Sequence, residues 1–249
     1  MAMADFGECC SDFYVNQKLA LKMDLPEGRE SVLDLFDRLR RDAPELDRLR
    51  RYDGEFALES PERDRRYRWV AMRRTSIRSG DVNPDRLEDA YALHRLILEV
   101  APYYLSISPL DIDYLELVFG FDLEAETNRD EVVFDALFAD GPLASLVDAG
   151  SDRLLDCQPI VGIALNDACD LQAFFEVRSR GSAGEASTGE FAPEPISVYL
   201  TIRRHGPIAS LKEIPAIFAA LCGHAERLAE DRAIPNLVLP IRHAILSRP

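Results

Sequence analysis

Two long segments of the chain alternate between apolar and polar residues, and this period of two limits the fold more than any other feature. The segments are Phe13–Leu25 and Leu110–Glu126. Because successive side chains of a β-strand point to opposite faces, each segment predicts a strand with one buried and one polar face. We therefore predict an α+β fold of antiparallel sheets with helices packed on one face.

Residues 13–126 predict the element order β-α-β-β-α-β. Between the two long strands the predicted elements are a helix at Glu30–Arg41, a short helical turn at Glu45–Arg51, strands at Phe56–Ser60 and Tyr67–Arg78, and a helix at Asn83–Val100. The second helix has a typical start, because Asn83 suits the N-cap and Pro84 the first helical position. This order matches the ferredoxin-like split β-α-β unit, which we predict for this lobe.

Residues 127–249 predict a related α+β lobe. Its predicted elements are a helix from Asn128 to Phe138, paired strands at Gln158–Leu165 and Leu171–Arg180, a strand at Ile196–Arg204, a helix through Leu228 and an edge strand at Ile234–Ile241. Gly181–Pro195 is rich in Gly, Pro, Ser, Thr and Glu, which predicts a flexible hairpin loop. The two lobes form either separate domains or one continuous domain.

The net charge of −15 is unevenly distributed along the chain. Residues 1–80 carry 16 basic and 16 acidic side chains, residues 81–176 carry 4 and 21, and residues 177–249 carry 9 and 7. An acidic field of this kind repels nucleic acid and anionic membranes, so we expect neither as a partner. It favours cations or a basic protein partner.

The sequence indicates a soluble protein and nothing in it directs the chain out of the cytoplasm. The N-terminal residues lack a basic region followed by an apolar run. The longest uncharged stretch, Ile214–Ala225, has 12 residues, whereas a membrane span needs roughly 20. The cysteines number five and follow no zinc-site spacing, which favours reduced thiols. We predict no cofactor and no resident metal.

A set of carboxylates lies along the second long strand and is one candidate site. Its members are Asp111, Asp113, Glu116, Asp122, Glu124 and Glu126. Asp111 and Asp113 share one side of the strand, where two carboxylates could hold a hard cation with water. The alternative is a charged, solvated face of the sheet.

Arginine and aromatic residues alternate over residues 63–78, which is the second candidate site. The candidate binding residues of the two sites together are Trp69, Arg73, Arg74, Arg78, Glu116 and Asp122. Such a strand can bind a phosphate, a carboxylate or a stacked base. The alternative is internal charge matching, with Lys18 and Lys22 beside Glu116 and Asp122 across neighbouring strands and Arg74 on the far side.

The histidines give no catalytic pattern. His94 lies within an apolar helical stripe, which favours a hydrogen-bonded core residue. Cys222 and His224 are two positions apart and point about 200° away from each other on a helix, so joint metal binding is not expected.

No common catalytic motif occurs in the chain. It contains no Gly-x-Gly-x-x-Gly, no phosphate loop, no His-Glu-x-x-His and no Gly-x-Ser-x-Gly. The first hypothesis is therefore a non-enzymatic binding or assembly module that acts as a homo-oligomer. The alternative is a small-molecule enzyme with an arginine-lined anion site and Glu116 as base, with or without a divalent metal.

Overall fold

The computed structural model describes residues 6–25, 29–148 and 150–248. The strands of this part are β1 Asp12–Leu21, β2 Arg48–Tyr52, β3 Glu55–Glu59, β4 Tyr67–Arg73, β5 Ser76–Val82, β6 Ile112–Glu124, β7 Ile160–Ala164, β8 Leu171–Arg178 and β9 Pro195–His205. The helices are α1 Arg29–Asp42, α2 Leu87–Tyr104, α3 Arg129–Leu137, α4 Ala183–Thr188, α5 Ile214–Leu228 and α6 Leu239–Leu246. The protein is α+β, with one large antiparallel sheet and helices.

All nine described strands belong to one sheet with the order β2-β3-β4-β5-β1-β6-β9-β8-β7. Every neighbouring pair is antiparallel. The strands β1 and β6, the two long strands of the predicted first lobe, pair with each other at the centre. Strands β5 to β2 extend outward from β1 and strands β9 to β7 extend outward from β6, so both predicted lobes contribute to a single sheet.

One face of the sheet is buried under helices, and the alternation of side chains in β1 shows which residues lie on it. Phe13, Val15 and Leu19 are buried on the helix side, where α2 packs on β1 and β5 and α5 packs on β6 and β9. The side chains of the other parity form the opposite face, on which no helix of the described residues packs; we call this the open face. Burial of these alternating apolar residues supplies the main favourable term for the layer.

Several predicted elements are present with small changes in their ends. They include the helix at α1, the strand at β6, the paired strands β7 and β8, and the strand β9. The Asn128 cap is also confirmed, because its Oδ1 accepts hydrogen bonds from the amides of Asp130 and Glu131.

The split β-α-β topology is not confirmed. The predicted strand Tyr67–Arg78 is two strands, β4 and β5, which pair antiparallel around the turn at Arg74 and Thr75. The predicted helical turn at Glu45–Arg51 is wrong, since β2 lies there and pairs with β3. In a split β-α-β unit a single strand lies between the two strands that a helix connects, whereas three strands, β3, β4 and β5, lie between β1 and β2, which α1 connects.

Three further predictions about local structure differ from the structure. The second helix begins at Leu87 and continues past Val100 to Tyr104, with Pro102 in its last turns. The predicted edge strand Ile234–Ile241 is helical, as part of a π-helical segment Ala229–Val238 followed by α6. The predicted loop Gly181–Pro195 contains α4. Within the described residues, no helix combines the length and the apolar character needed to cross a membrane.

Candidate functional site

Aromatic rings lie flat on the open face wherever a glycine stands opposite them. Trp69 lies beside Gly80 on the neighbouring strand, and Tyr14 lies beside Gly120. A Cβ added at Gly80 would clash with the Trp69 indole, and one added at Gly120 would clash with the Tyr14 ring. The glycines therefore let the rings approach the backbone and shape the floor of this face.

A cleft of about 440 Å³ lies on the open face, where β4 and β1 begin and β5 and β6 end. Its lining residues are Asp12, Tyr14, Asn16, Glu62, Arg65, Tyr67, Trp69, Val82 and Asp122. The lining thus combines three aromatic rings with three carboxylates and one guanidinium. A volume of this size fits the range of small-ligand pockets.

The floor of the cleft brings two carboxylates together. Asp12 and Asp122 are direct neighbours across β1 and β6. Arg65 donates to Asp12 Oδ2 at 2.6 Å and to Glu124 Oε1 at 3.3 Å. Asn83 Nδ2 donates to Asp12 Oδ1 at 2.6 Å. Asp12 is therefore well supplied with donors.

Asp122 is less well compensated than Asp12. Ser197 Oγ donates to its Oδ1 at 2.5 Å and Tyr14 Oη at 3.2 Å, while no described residue donates to Oδ2. Burial raises the pKa of the Asp122 carboxyl above its usual range, and the charge of Asp12 adds to that effect. Burial and the neighbouring carboxylate likewise raise the pKa of Tyr14, so it stays a neutral phenol that can donate.

Two further acceptors in the cleft lack partners. Asn16 Oδ1 is buried and accepts no hydrogen bond. Glu62 is exposed and forms no ion pair with any described residue. With three carboxylates in its lining, the cleft is better matched to a group that brings N–H donors than to an anion.

Arg73, Arg74 and Arg78 do not line this cleft, and each contacts an acidic side chain elsewhere. Arg73 and Arg78 both pair with the half-buried Glu55 of β3. Arg78 also lies over the Trp69 ring, with 5.8 Å between the guanidinium carbon and the ring centroid. Arg74, in the turn between β4 and β5, pairs with Asp24 at 2.7 Å.

Glu116 lies elsewhere on the open face. The Arg203 guanidinium binds its carboxylate at 2.5 Å, and Lys18 is its neighbour across β1 and β6. Lys18 Nζ itself donates to Tyr114 Oη at 2.7 Å. The expected pairing of Lys22 with Asp122 is wrong, because the residue that faces Asp122 across the two strands is Asp12.

Of the predicted site residues, the structure thus brings Trp69 and Asp122 together in the cleft and places the other four outside it. Asp12, Tyr14, Asn16 and Glu62 of the cleft were not predicted as site residues, whereas Arg65 lies in the arginine-rich candidate segment 63–78. The period of two in the first strand places Tyr14 and Asn16 on one face, so the sequence could have indicated that these two residues lie together.

The His94 prediction is confirmed, since His94 is a fully buried, hydrogen-bonded core residue. Its Nε2 lies 3.2 Å from the Val15 carbonyl and its Nδ1 2.8 Å from Ser79 Oγ. A carbonyl only accepts, so Nε2 carries the proton and Nδ1 accepts from the Ser79 hydroxyl. Burial lowers the pKa of His94 to about 3.

Arg129 is buried beside the second half of the sheet and holds the segment that contains α4. It donates to the carbonyls of Ser179 and Ala192 at 2.8 and 2.6 Å, and to Arg180 O at 3.3 Å. It also binds both oxygens of Glu185, at 2.9 and 3.0 Å. Across the described ranges, no group of three or more His, Cys, Asp or Glu side chains is arranged to hold a metal ion.

Comparisons with known proteins assign no family. No family model matches the chain, and no curated protein matches it. Among solved structures, one similar chain is described as the di-domain ARO/CYC BexL from the BE-7585A biosynthetic pathway. It shares 9% identity with a TM-score of 0.20, over 95% of this chain and 99% of that chain. A likeness at this level carries no argument about function.

Proposed function

We propose that the protein is a non-enzymatic binding module that acts as a homo-oligomer and binds a cationic group of a basic protein partner in the cleft on its open face. The observation that carries the proposal is the lining of that cleft, in which Trp69, Tyr67 and Tyr14 stand beside Asp12, Asp122 and Glu62.

The aromatic rings and carboxylates suit the same ligand. A guanidinium or ammonium group is attracted to the faces of Trp and Tyr rings, and the attraction grows when water is excluded. The free acceptors Asp122 Oδ2 and the Glu62 carboxylate match a group with several N–H donors. An arginine side chain has both properties, since it is always charged and carries five donors in a plane.

The charges of the cleft and of the whole chain support the same choice. Arg65 is the only basic side chain in the lining, and it is already bound by Asp12 and Glu124. The net charge of −15 attracts a basic partner at long range and speeds its association. An anionic substrate gains less support, because Arg73, Arg74 and Arg78 contact carboxylates of this chain.

The test uses the single tryptophan of the chain as its reporter. Because Trp69 lines the cleft, titration with tri-arginine should give a saturable change in its fluorescence, while tri-glutamate should give none. Calorimetry then compares Asp122→Asn with a matched control, Asp140→Asn, whose exposed side chain lies outside the cleft. Loss of a charged acceptor should weaken binding about five- to tenfold for Asp122→Asn.

Equal affinity of the two variants, or equal responses to tri-arginine and tri-glutamate, would contradict the proposed cleft. Added salt should weaken binding, because most of the attraction comes from charges at the surface. The oligomeric state is measured separately by light scattering, so failure of one part of the proposal does not conceal the other.

A further inference from the structure

The two edge strands of the sheet differ in chemistry. β2, with the sequence Arg-Leu-Arg-Arg-Tyr, is exposed throughout and strongly basic. β7, with the sequence Ile-Val-Gly-Ile-Ala, carries no charge and no proline. Ile160 and Val161 of β7 are 60% and 58% exposed. Natural sheets usually protect their edges with charges, prolines or bulges, so β2 is protected against strand addition and β7 is not.

The hydrogen bonds of β7 show which of its groups point outward. Val177 N donates to Pro159 O at 2.9 Å, and Leu165 N donates to Leu171 O at 2.8 Å. Hydrogen-bonded residues alternate along an antiparallel strand, so the odd-numbered residues of β7 bond to β8. The amides and carbonyls of Ile160, Gly162 and Ala164 therefore face away from the sheet.

These outward groups are self-complementary. If two β7 strands pair antiparallel about a two-fold axis at Gly162, Ile160 of each copy lies opposite Ala164 of the other. Each outward amide then meets an outward carbonyl. Gly162 has no side chain, so the two copies of this residue do not clash at the axis. Phe174 of β8 covers Gly162 on the open face.

The charges also permit this register. The residues that pair, Ile160–Ala164, carry no charge. No two carboxylates face each other, although each chain carries a net charge of −15. Self-pairing of β2 about Arg50 would instead place two arginines directly opposite, which is destabilising.

We propose that β7 is the interface of the homo-oligomer, where two copies pair their Ile160–Ala164 strands antiparallel about a two-fold axis and join their sheets into one. This inference rests on the homo-oligomer in the proposed function and names the surface that forms it. A two-fold contact is closed, as in most soluble homo-oligomers. An interface built around a five-residue strand is small, so association is weak and depends on concentration.

Sedimentation velocity across a micromolar concentration series tests the inference. The wild type should shift from one-chain to two-chain mass as concentration rises. The double variant Ile160→Lys/Val161→Lys places charges on the edge, and Ala164→Pro removes an outward donor while leaving the bonds to β8 intact. Both should raise the midpoint concentration at least about tenfold. The matched control is Leu49→Lys on β2, which should leave the midpoint unchanged.

The outcomes separate the two proposals. A wild type that remains a single chain at every concentration would refute both the homo-oligomer and its interface. Two-chain mass that persists in the double variant and in Ala164→Pro would refute β7 as the interface but not the homo-oligomer. Growth beyond two chains would also refute it, because pairing of β2 with β7 makes an open chain of copies. Far-ultraviolet circular dichroism checks that each variant is folded. If the double variant does not fold, Ala164→Pro provides the test.

Discussion

The buried imidazole of His94 makes a quantitative prediction about acid stability. Both ring nitrogens are used, Nε2 by the Val15 carbonyl and Nδ1 by Ser79 Oγ. A second proton on the ring would have to displace the Ser79 hydroxyl donor inside the core, so burial lowers the pKa from 6.5 to about 3. Arg68 lowers it slightly further.

The direction of the effect follows from proton linkage. Below pH 6.5 the unfolded chain binds a proton at His94 that the folded chain does not bind, so stability falls as pH falls. With pKa values of 6.5 and about 3, the free energy of unfolding should decrease by about 2 kcal/mol between pH 8 and pH 5 through this residue alone. The full loss, near pH 3, is about 5 kcal/mol.

Urea unfolding at pH 8 and pH 5 measures this contribution as a difference between proteins. His94→Gln removes the titrating group, so wild type should lose about 2 kcal/mol more than this variant between the two pH values. His243→Gln, at an exposed position near the C-terminus, is the control and should follow the wild type. Equal losses in wild type and His94→Gln would refute a neutral, doubly hydrogen-bonded imidazole in the core.

Two further predictions concern other buried groups. Burial raises the pKa of Asp81 from 3.8 to about 6, although Arg68 opposes this. The stabilisation from Asp81 is therefore fully present below pH 3.8 and is lost as pH rises through 6. Between pH 5 and pH 8 the free energy of unfolding of the wild type, measured in urea, should fall by about 1 kcal/mol relative to that of Asp81→Asn. No difference between the two proteins would contradict this. Arg129→Met leaves three carbonyls without their donor and should lower the free energy of unfolding by about 3 kcal/mol or more. Limited proteolysis should then cut first within residues 179–192, and a cleavage pattern like that of the wild type would count against it.

The long strands and amphipathic helices could be predicted from sequence because their burial is periodic. β1 and β6 each bury every second residue over most of their length, and α1 buries one stripe. β2 gave no such signal, since all its residues are exposed and only pairing with β3 makes it a strand. The turn at Arg74 and Thr75 contains neither glycine nor proline, so the break between β4 and β5 had no local marker.

The C-terminal helices and the cleft depended on information that local patterns do not carry. Pro235 suggested an edge strand, yet the structure accommodates it in a π-helical segment, and Pro240 lies in the first turn of α6. In the cleft, Arg65 reaches Asp12 from 53 positions along the chain. Such a contact follows from the register of the strands, and no spacing of residues within one segment indicates it.

The central pairing of β1 with β6 has a consequence for the growing chain. β1 is made before the other described strands, but its partner on one side is complete only at Glu124. During synthesis the first half therefore presents the long strand Asp12–Leu21 with one row of amides and carbonyls unsatisfied. Two nascent chains that are close together can satisfy those groups in each other, so crowded synthesis should favour exchanged dimers, and a fragment that ends before Ile112 should associate through β1.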